Sequence, residues 1–160
     1  MVDSFSTDTY HFLNYKAMGE IDSKEIWRLR NLPEIARWMV NDSFIPYENH
    51  QRFVAGLKGD ESRDYFIIKD LEDNIIGSVN LTYFSREDAE RGIYISPEHW
   101  HRGHAYRSLT EFYSHFKRHG IKKIITKVKI DNKASNSLER RLGASLSDSK
   151  DGYNFYELEL

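Results

Sequence analysis

Between Arg91 and Tyr106 a β-branched run, Ile93-Tyr94-Ile95, stops at Pro97, and the chain re-emerges through Gly103 into a segment with helical apolar spacing. A strand that turns into a helix in this way builds an anion site. The amides of Arg102, Gly103, His104, Ala105 and Tyr106 fall at a helix N-terminus, where they lack intrahelical acceptors and the helix dipole favours negative charge. A pyrophosphate suits such a loop, and Gly103 lets the backbone approach it closely. His50, His99, His101 and His104 add imidazoles, yet no carboxylate recurs with them in a metal-ligand pattern. Metal chemistry is therefore not expected.

Positioning that loop requires a sheet. Tyr10 to Tyr15 reads as a first strand, and Asp22-Ser23-Lys24-Glu25 as a capping box opening a helix through Arg30. Pro33 and Pro46 sit as first-turn prolines of helices Pro33 to Val40 and Pro46 to Leu57. Tyr65 to Lys69 and Ile75 to Phe84 form a hairpin across Glu72-Asp73-Asn74. Ala89 to Ser96 is the strand before the loop. Gly103 to His119 is the helix after it, apolar at Ala105, Leu109, Phe112, Tyr113 and Phe116 and stopped by Gly120. Lys123 to Ile130 is a strand and Asn132 to Leu142 a helix ending at Gly143. Ala144 to Asp148 and Tyr153 to Leu158 form a last hairpin around Asp151-Gly152. The order β, α, α, α, β, β, β, α, β, α, β, β predicts one α/β domain over residues 1–160 with a mixed sheet, undivided by repeat or linker.

Composition narrows the function classes. At 160 residues the chain suits a single core. Charged residues make up 30% and the formal net charge is −2, with the signs mixed, which speaks against nucleic acid as a partner. No apolar run approaches the roughly 18 residues of a spanning helix, and Met1 to Thr9 is too polar for a signal peptide, so a cytoplasmic location is expected. The absence of cysteine excludes disulfides, thiolate zinc sites and a cysteine acyl-enzyme, leaving direct transfer for any acyl chemistry.

Trp100-His101-Arg102-Gly103-His104-Ala105 resembles the motif Gln/Arg-x-x-Gly-x-Gly/Ala of the GCN5-related N-acetyltransferases (GNAT), with Trp100 standing where Gln or Arg is expected. The segment Asn132 to Ala144 resembles the Asn-x-x-(Ser/Ala) helix of the same family, which ends in Leu-Gly-Phe. The resemblance implies the GNAT fold, a mixed, mostly antiparallel sheet of about seven strands flanked by helices. Its central strands splay, and the pantetheine arm of acetyl-CoA, the expected co-substrate, inserts between them as an added strand. By that resemblance Ile93, Tyr94 and Ile95 offer backbone groups to the arm while their side chains pack in the core, and Arg102 to Tyr106 hold the pyrophosphate. Asn132 and Ser135 either contact CoA or cap their helix. Many members carry a tyrosine that protonates the departing thiolate where this chain has Glu139, read either as that acid or as part of a solvated helix face. Glu90, entering the strand that meets the thioester, is the candidate base, or else a solvated strand end.

The acceptor should be chosen by the N-terminal half. Trp27 to Met39, Phe44-Ile45 and Asn49 to Phe53 resemble the corresponding region of the pseudaminic acid pathway acetyltransferases, which act on the 4-amino group of a UDP-linked 4-amino-4,6-dideoxy sugar. The resemblance places Met39 and Phe53 at the nucleotide-sugar site with His50 adjacent, a thioether and an aromatic suited to a flat uracil. The bland alternative makes Trp38, Met39 and Phe53 a small core under the helices, and Val40 stands where an aromatic often follows the methionine. The implied partner is a small-molecule amino-sugar nucleotide, with no nucleic acid or membrane, and the reading leaves room for a homodimer. Two rivals stand beside it. One is an N-terminal or small-amine acetyltransferase of the ribosomal-protein type, whose Asn-x-x-Ser helix this chain also resembles. The other is a CoA- or nucleotide-binding module without turnover, suggested by Trp100 and Glu139.

Overall fold

The computed structural model describes residues 2–160. Tyr10–Asn14 (β2) buries Tyr10, Phe12 and Asn14 on one side of a two-residue period, as a strand over a core must. A two-residue strand that the sequence pattern does not show, Phe5–Ser6 (β1), pairs with it and stacks Phe5 on Phe12 at 4.8 Å. Three helices follow: Glu20–Arg30 (α1), Pro33–Ala36 (α2) and Tyr47–Leu57 (α3). Next come Arg63–Asp70 (β3), Ile75–Tyr83 (β4), Asp88–Ile95 (β5) and His104–Arg118 (α4). The chain ends through Lys123–Lys129 (β6), Lys133–Arg141 (α5), Ser145–Lys150 (β7) and Tyr153–Glu159 (β8).

One eight-stranded sheet results, in the order β1-β2-β3-β4-β5-β6-β8-β7. Every neighbouring pair is antiparallel except β5 and β6, which are parallel because α4 carries the chain back between them. The expected mixed, mostly antiparallel α/β sheet is therefore present, with β1 as the strand beyond the seven foreseen. Two cores flank it. Phe12, Phe66, Ile68, Val79, Leu81 and Ala89 meet Leu109, Phe112 and Phe116 of α4 on one face, with Leu138 of α5 and Leu142 just after it at the margin. Each fully buried phenylalanine contributes about 1.5–3 kcal/mol to that face. On the other, Ile67 packs with Tyr15, Ile26 of α1 and Leu57 of α3.

Element boundaries depart from the sequence pattern where side chains find distant partners. The capping box at Asp22 does not form: α1 begins at Glu20 behind Gly19, with no side-chain cap. Asp22 instead pairs with Lys69 at 2.8 Å and Glu25 with Arg28 at 2.6 Å, while Ser23 turns to His50. The helix expected from Pro33 to Val40 lasts one turn before loosening, and Pro46 caps α3 from outside rather than opening it. Among the described residues no helix is long and apolar enough to cross a membrane.

Candidate active site

β5 and β6 are paired at Asp88↔Lys123, Ala89↔Ile124 and Glu90↔Ile125, and there the ladder stops. β5 runs on to Ile95 against β4 and β6 to Lys129 against β8, so a wedge opens between 91–95 and 126–129. The Ser96 N–H donates to the Ile76 carbonyl at 2.8 Å, on the β4 side. The Ile95 carbonyl belongs to the same peptide and so points the opposite way, into the wedge. The two-residue period aims the N–H and C=O of Ile93 there as well. Such an edge inside a sheet accepts an extended chain that carries amides. On the other lip Thr126 is buried, and its hydroxyl has no hydrogen-bond partner among the described residues.

The wedge ends at a short 3-10 turn, Pro97–His99, and the residues that lead into α4. Gly103 precedes the helix with φ 78°, a left-handed backbone that side chains disfavour, and no side chain caps it. The first-turn amides of His104, Ala105 and Tyr106 therefore face outward as free donors. Arg102 and Arg107 stand exposed around them and add to the positive end of the helix dipole. The loop residues foreseen from sequence thus gather in one place, but His104 takes part through its backbone. Its ring turns inward, with Nδ1 2.8 Å from the Tyr10 hydroxyl; burial, then His99, Arg107 and Arg102, lower its pKa. Tyr106 lies under the Arg141 guanidinium at 4.0 Å and ties α4 to α5.

On the face away from α4, Glu90, Gly92 and Tyr94 line β5 beside Thr82, Asn80 and Ser78 of β4. Glu90 occupies the last rung before the wedge and is half-buried. A Cβ on Gly92 would lie 2.5 Å from Asn80 Oδ1, so any larger residue there would require the Asn80 carboxamide to turn away. The Tyr94 hydroxyl reaches the Ile26 carbonyl at 3.5 Å, and burial pushes its pKa up to about 12, so it stays protonated. Phe53 on α3 remains 37% exposed and packs edge-on against Tyr65 of β3 at 5.0 Å. Met39 is half-buried just after α2, and Lys129 at the tip of β6 holds that segment by donating to the Arg37 carbonyl at 2.7 Å. Of the two expected acceptor residues, Phe53 borders this face through Tyr65, in line with Asn80 and Gly92.

His50 is a correction. It is buried between α1 and α3, its Nε2 is 2.9 Å from Ser23 Oγ and its ring stacks on Tyr47, so it fastens two helices rather than meeting a ligand. Burial lowers its pKa accordingly. Arg30, which the sequence reading passed over, has a stronger claim to the acceptor face. One guanidinium nitrogen donates to the Asn41 carbonyl, while Nη1 is buried with no partner among the described residues; burial lowers the Arg30 pKa, opposed by Tyr94, Asp42 and Tyr65. An arginine near the end of a charged helix carries no sequence signal of that kind.

Glu139 is a second correction, because neither expected setting holds. It is 1% exposed and paired with the buried Arg91, whose Nε donates to the Tyr113 hydroxyl at 2.8 Å. Arg91 lies just past the last β5–β6 rung with its side chain toward α4 and α5, and a buried guanidinium requires a counter-charge there. Burial works against the charge on Arg91, and Tyr113 with Glu139 outweighs it, so its pKa is raised. A carboxylate engaged this way is neither solvated nor free to serve as an acid. Asn132 caps α5 by accepting from the Ser135 amide at 3.2 Å, which assigns its side chain to capping. Asn136, also missed, pins the free end of β6. Its amide donates to the Lys129, Ile130 and Asn132 carbonyls while its oxygen accepts from Asn154 and Tyr156.

No group of three or more His, Cys, Asp or Glu side chains is placed to hold a metal among the described residues. The family model of the acetyltransferase (GNAT) domain matches residues 13–145. The acetyltransferase PseH of Campylobacter jejuni is 29% identical over 89 residues, 54% of this chain and 55% of that protein, so the match spans about half the length of the curated relative. The crystal structure of C. jejuni N-acetyltransferase PseH in complex with acetyl coenzyme A superposes with a TM-score of 0.76 at 18% identity, covering 94% of this chain and 98% of that one. Spermidine N-acetyltransferase from Vibrio cholerae, in complex with CoA and spermine, gives 0.81 at 18% identity over 96% of each chain. At these identities the likeness is one of fold.

Proposed function

This chain belongs to the acetyltransferase (GNAT) domain family, and on that premise we propose that it transfers an acetyl group directly from acetyl-CoA to an amine of an amino-sugar nucleotide. The observation that carries the reading is the parting of β5 and β6 immediately above a helix N-terminus whose amides are uncapped. Acetyl-CoA brings the activated acetyl group. The amides of His104 to Tyr106, with Arg102 and Arg107, suit its pyrophosphate, and the open edge at Ile93 and Ile95 suits its amide-bearing arm.

The rest of the work belongs to the chain's own groups. The Ile93 N–H, fixed in the sheet, donates toward the oxygen on which negative charge develops, a role that contributes about 3–4 kcal/mol in comparable sites. Glu90 takes the proton of the acceptor ammonium directly or through one water, the neutral amine bonds to the acetyl carbon, and the C–S bond breaks as CoA leaves as a thiolate that takes up the proton the new amide nitrogen sheds. Holding both reactants in one wedge converts their encounter into a unimolecular step. On the acceptor side Met39 and Phe53 present soft and flat surfaces for a nucleobase, and Arg30 Nη1, which has no partner among the described residues, matches an anionic diphosphate. The finer assignment, the 4-amino group of a UDP-linked 4-amino-4,6-dideoxy sugar, is supported by the partial identity to PseH and by these residues.

The test is release of CoA from acetyl-CoA in the presence of UDP-linked 4-amino-4,6-dideoxy sugars, peptides and simple amines. Turnover confined to the sugar nucleotides is the expected result. Turnover confined to peptides or polyamines would move the acceptor to the other side of the family, and acetyl-CoA binding without turnover on any amine would leave a binding module.

A further inference from the structure

We propose that Trp100 is a positioning residue for the cofactor: its indole N–H caps the last wedge-facing carbonyl of β5 and so sets the spacing between the pyrophosphate loop and the strand edge. The inference rests on the acetyl-CoA reading above. Trp100 Nε1 donates to the Ile95 carbonyl at 2.7 Å. That carbonyl points into the wedge, because the Ser96 N–H of the same peptide is engaged by Ile76 on the opposite side.

Two consequences follow from one hydrogen bond. First, a strand added to β5 pairs with alternate residues, here Ile93 and Ile95, and would find a further acceptor at the Ile95 carbonyl if nothing covered it. With the indole there, the open edge ends at the Ile95 N–H, and an arm that slid further along would meet an occupied group. Second, Trp100 lies three residues before Gly103, on a turn held by His99 N–H to the Ser96 carbonyl at 2.9 Å and Trp100 N–H to the Pro97 carbonyl at 3.2 Å. Beyond it His101 and Gly103 both adopt positive φ, 60° and 78°, so the intervening backbone is tightly specified. The indole is thus a strut from the end of the strand to the start of the amide-lined turn. At 38% exposure it stands at the mouth of the wedge, within reach of an entering ligand.

The chemistry also accounts for the residue type. Gln and Arg, which the resembled motif carries at this place, share with Trp a side-chain N–H donor and little else. Trp100→Gln should therefore preserve the function and Trp100→Phe should lose it. The experiment is calorimetric titration of wild type and both variants with CoA and with adenosine diphosphate, which has a pyrophosphate and no pantetheine arm. Thermal melting of each preparation is recorded alongside. Trp100→Phe is expected to bind CoA about five- to tenfold more weakly with adenosine diphosphate unaffected, and Trp100→Gln to bind CoA within about twofold of wild type.

Equal losses for both ligands would mean that the ring merely builds the loop, and wild-type CoA binding by Trp100→Phe would remove the hydrogen bond from the site; either overturns the proposal. So would a Gln variant no better than the Phe variant. If Trp100→Phe does not fold, Trp100→Leu carries the same comparison. Failure of the wild type to bind CoA at all would instead overturn the cofactor reading on which the proposal stands.

Discussion

In the proposed reaction Glu90 is the candidate base. It sits on the last rung before β5 and β6 part, on the face away from α4 that it shares with Gly92 and Tyr94. Glu90→Gln should lower kcat about 100-fold while leaving the KM for acetyl-CoA unchanged, as steady-state kinetics with a reactive acceptor will show; an unaltered kcat would assign deprotonation to water. A different residue controls stability toward acid. His115 on α4 stacks on Phe5 at 3.6 Å, its Nε2 is buried without a partner among the described residues, and burial, then His119 and Arg118, lower its pKa to about 4. The unfolded chain takes up that proton below about pH 6.5 and the folded chain does so only near pH 4, so stability is full above pH 6.5 and falls as the pH descends through this window. Melting temperatures between pH 7 and 4 should drop less steeply in His115→Phe. His50 and His104, also lowered by burial, leave a residual slope.

Among the elements, β5, α4 and α5 are joined behind the wedge by the Arg91–Glu139 pair and the Tyr113 hydroxyl. A buried ion pair adds little net stability over apolar groups of the same size, but stranding one partner is expensive. Arg91→Met alone or Glu139→Leu alone should cost about 3–5 kcal/mol in urea unfolding, and the double variant should recover most of the loss. Additive losses would show that the two side chains contribute separately. Sequence spacing showed where these elements lie, since the 3.6-residue period of α4 and the glycine stops at Gly120 and Gly143 are local signals. It did not show that Arg91 and Glu139, 48 residues apart, share one buried site. A Glu-Arg-Arg run on a helix reads as solvated, and only the packing of α5 against β5 turned its first residue inward.

For the whole molecule, the interior of the sheet is held at β5–β6 by three rungs, with β6, β8, β7 and α5 forming the arm beyond. The core under α4 nevertheless crosses that division, because Ile124 of β6 is buried in it and Leu138, Leu142 and Leu158 pack against it. The arm and the rest should therefore unfold together. Scanning calorimetry is expected to show one transition with equal calorimetric and van't Hoff enthalpies; two transitions would divide residues 1–160 into separate units at the wedge.

The sequence alone determined the α/β order, the strand-turn-helix at Gly103 and the two motifs that resemble the family, because each depends on residues close in the chain, whose spacing sets local backbone geometry. It also marked Phe53, which the fold sets against Tyr65 beside β5. The tertiary structure decided the rest: Glu139 and His50 left the expected site for buried partners, and Arg30, Asn136 and the Trp100 indole entered view. Those assignments depend on which long-range neighbour satisfies a buried charge or donor. That choice is made only when the two faces of the sheet are packed and water is excluded.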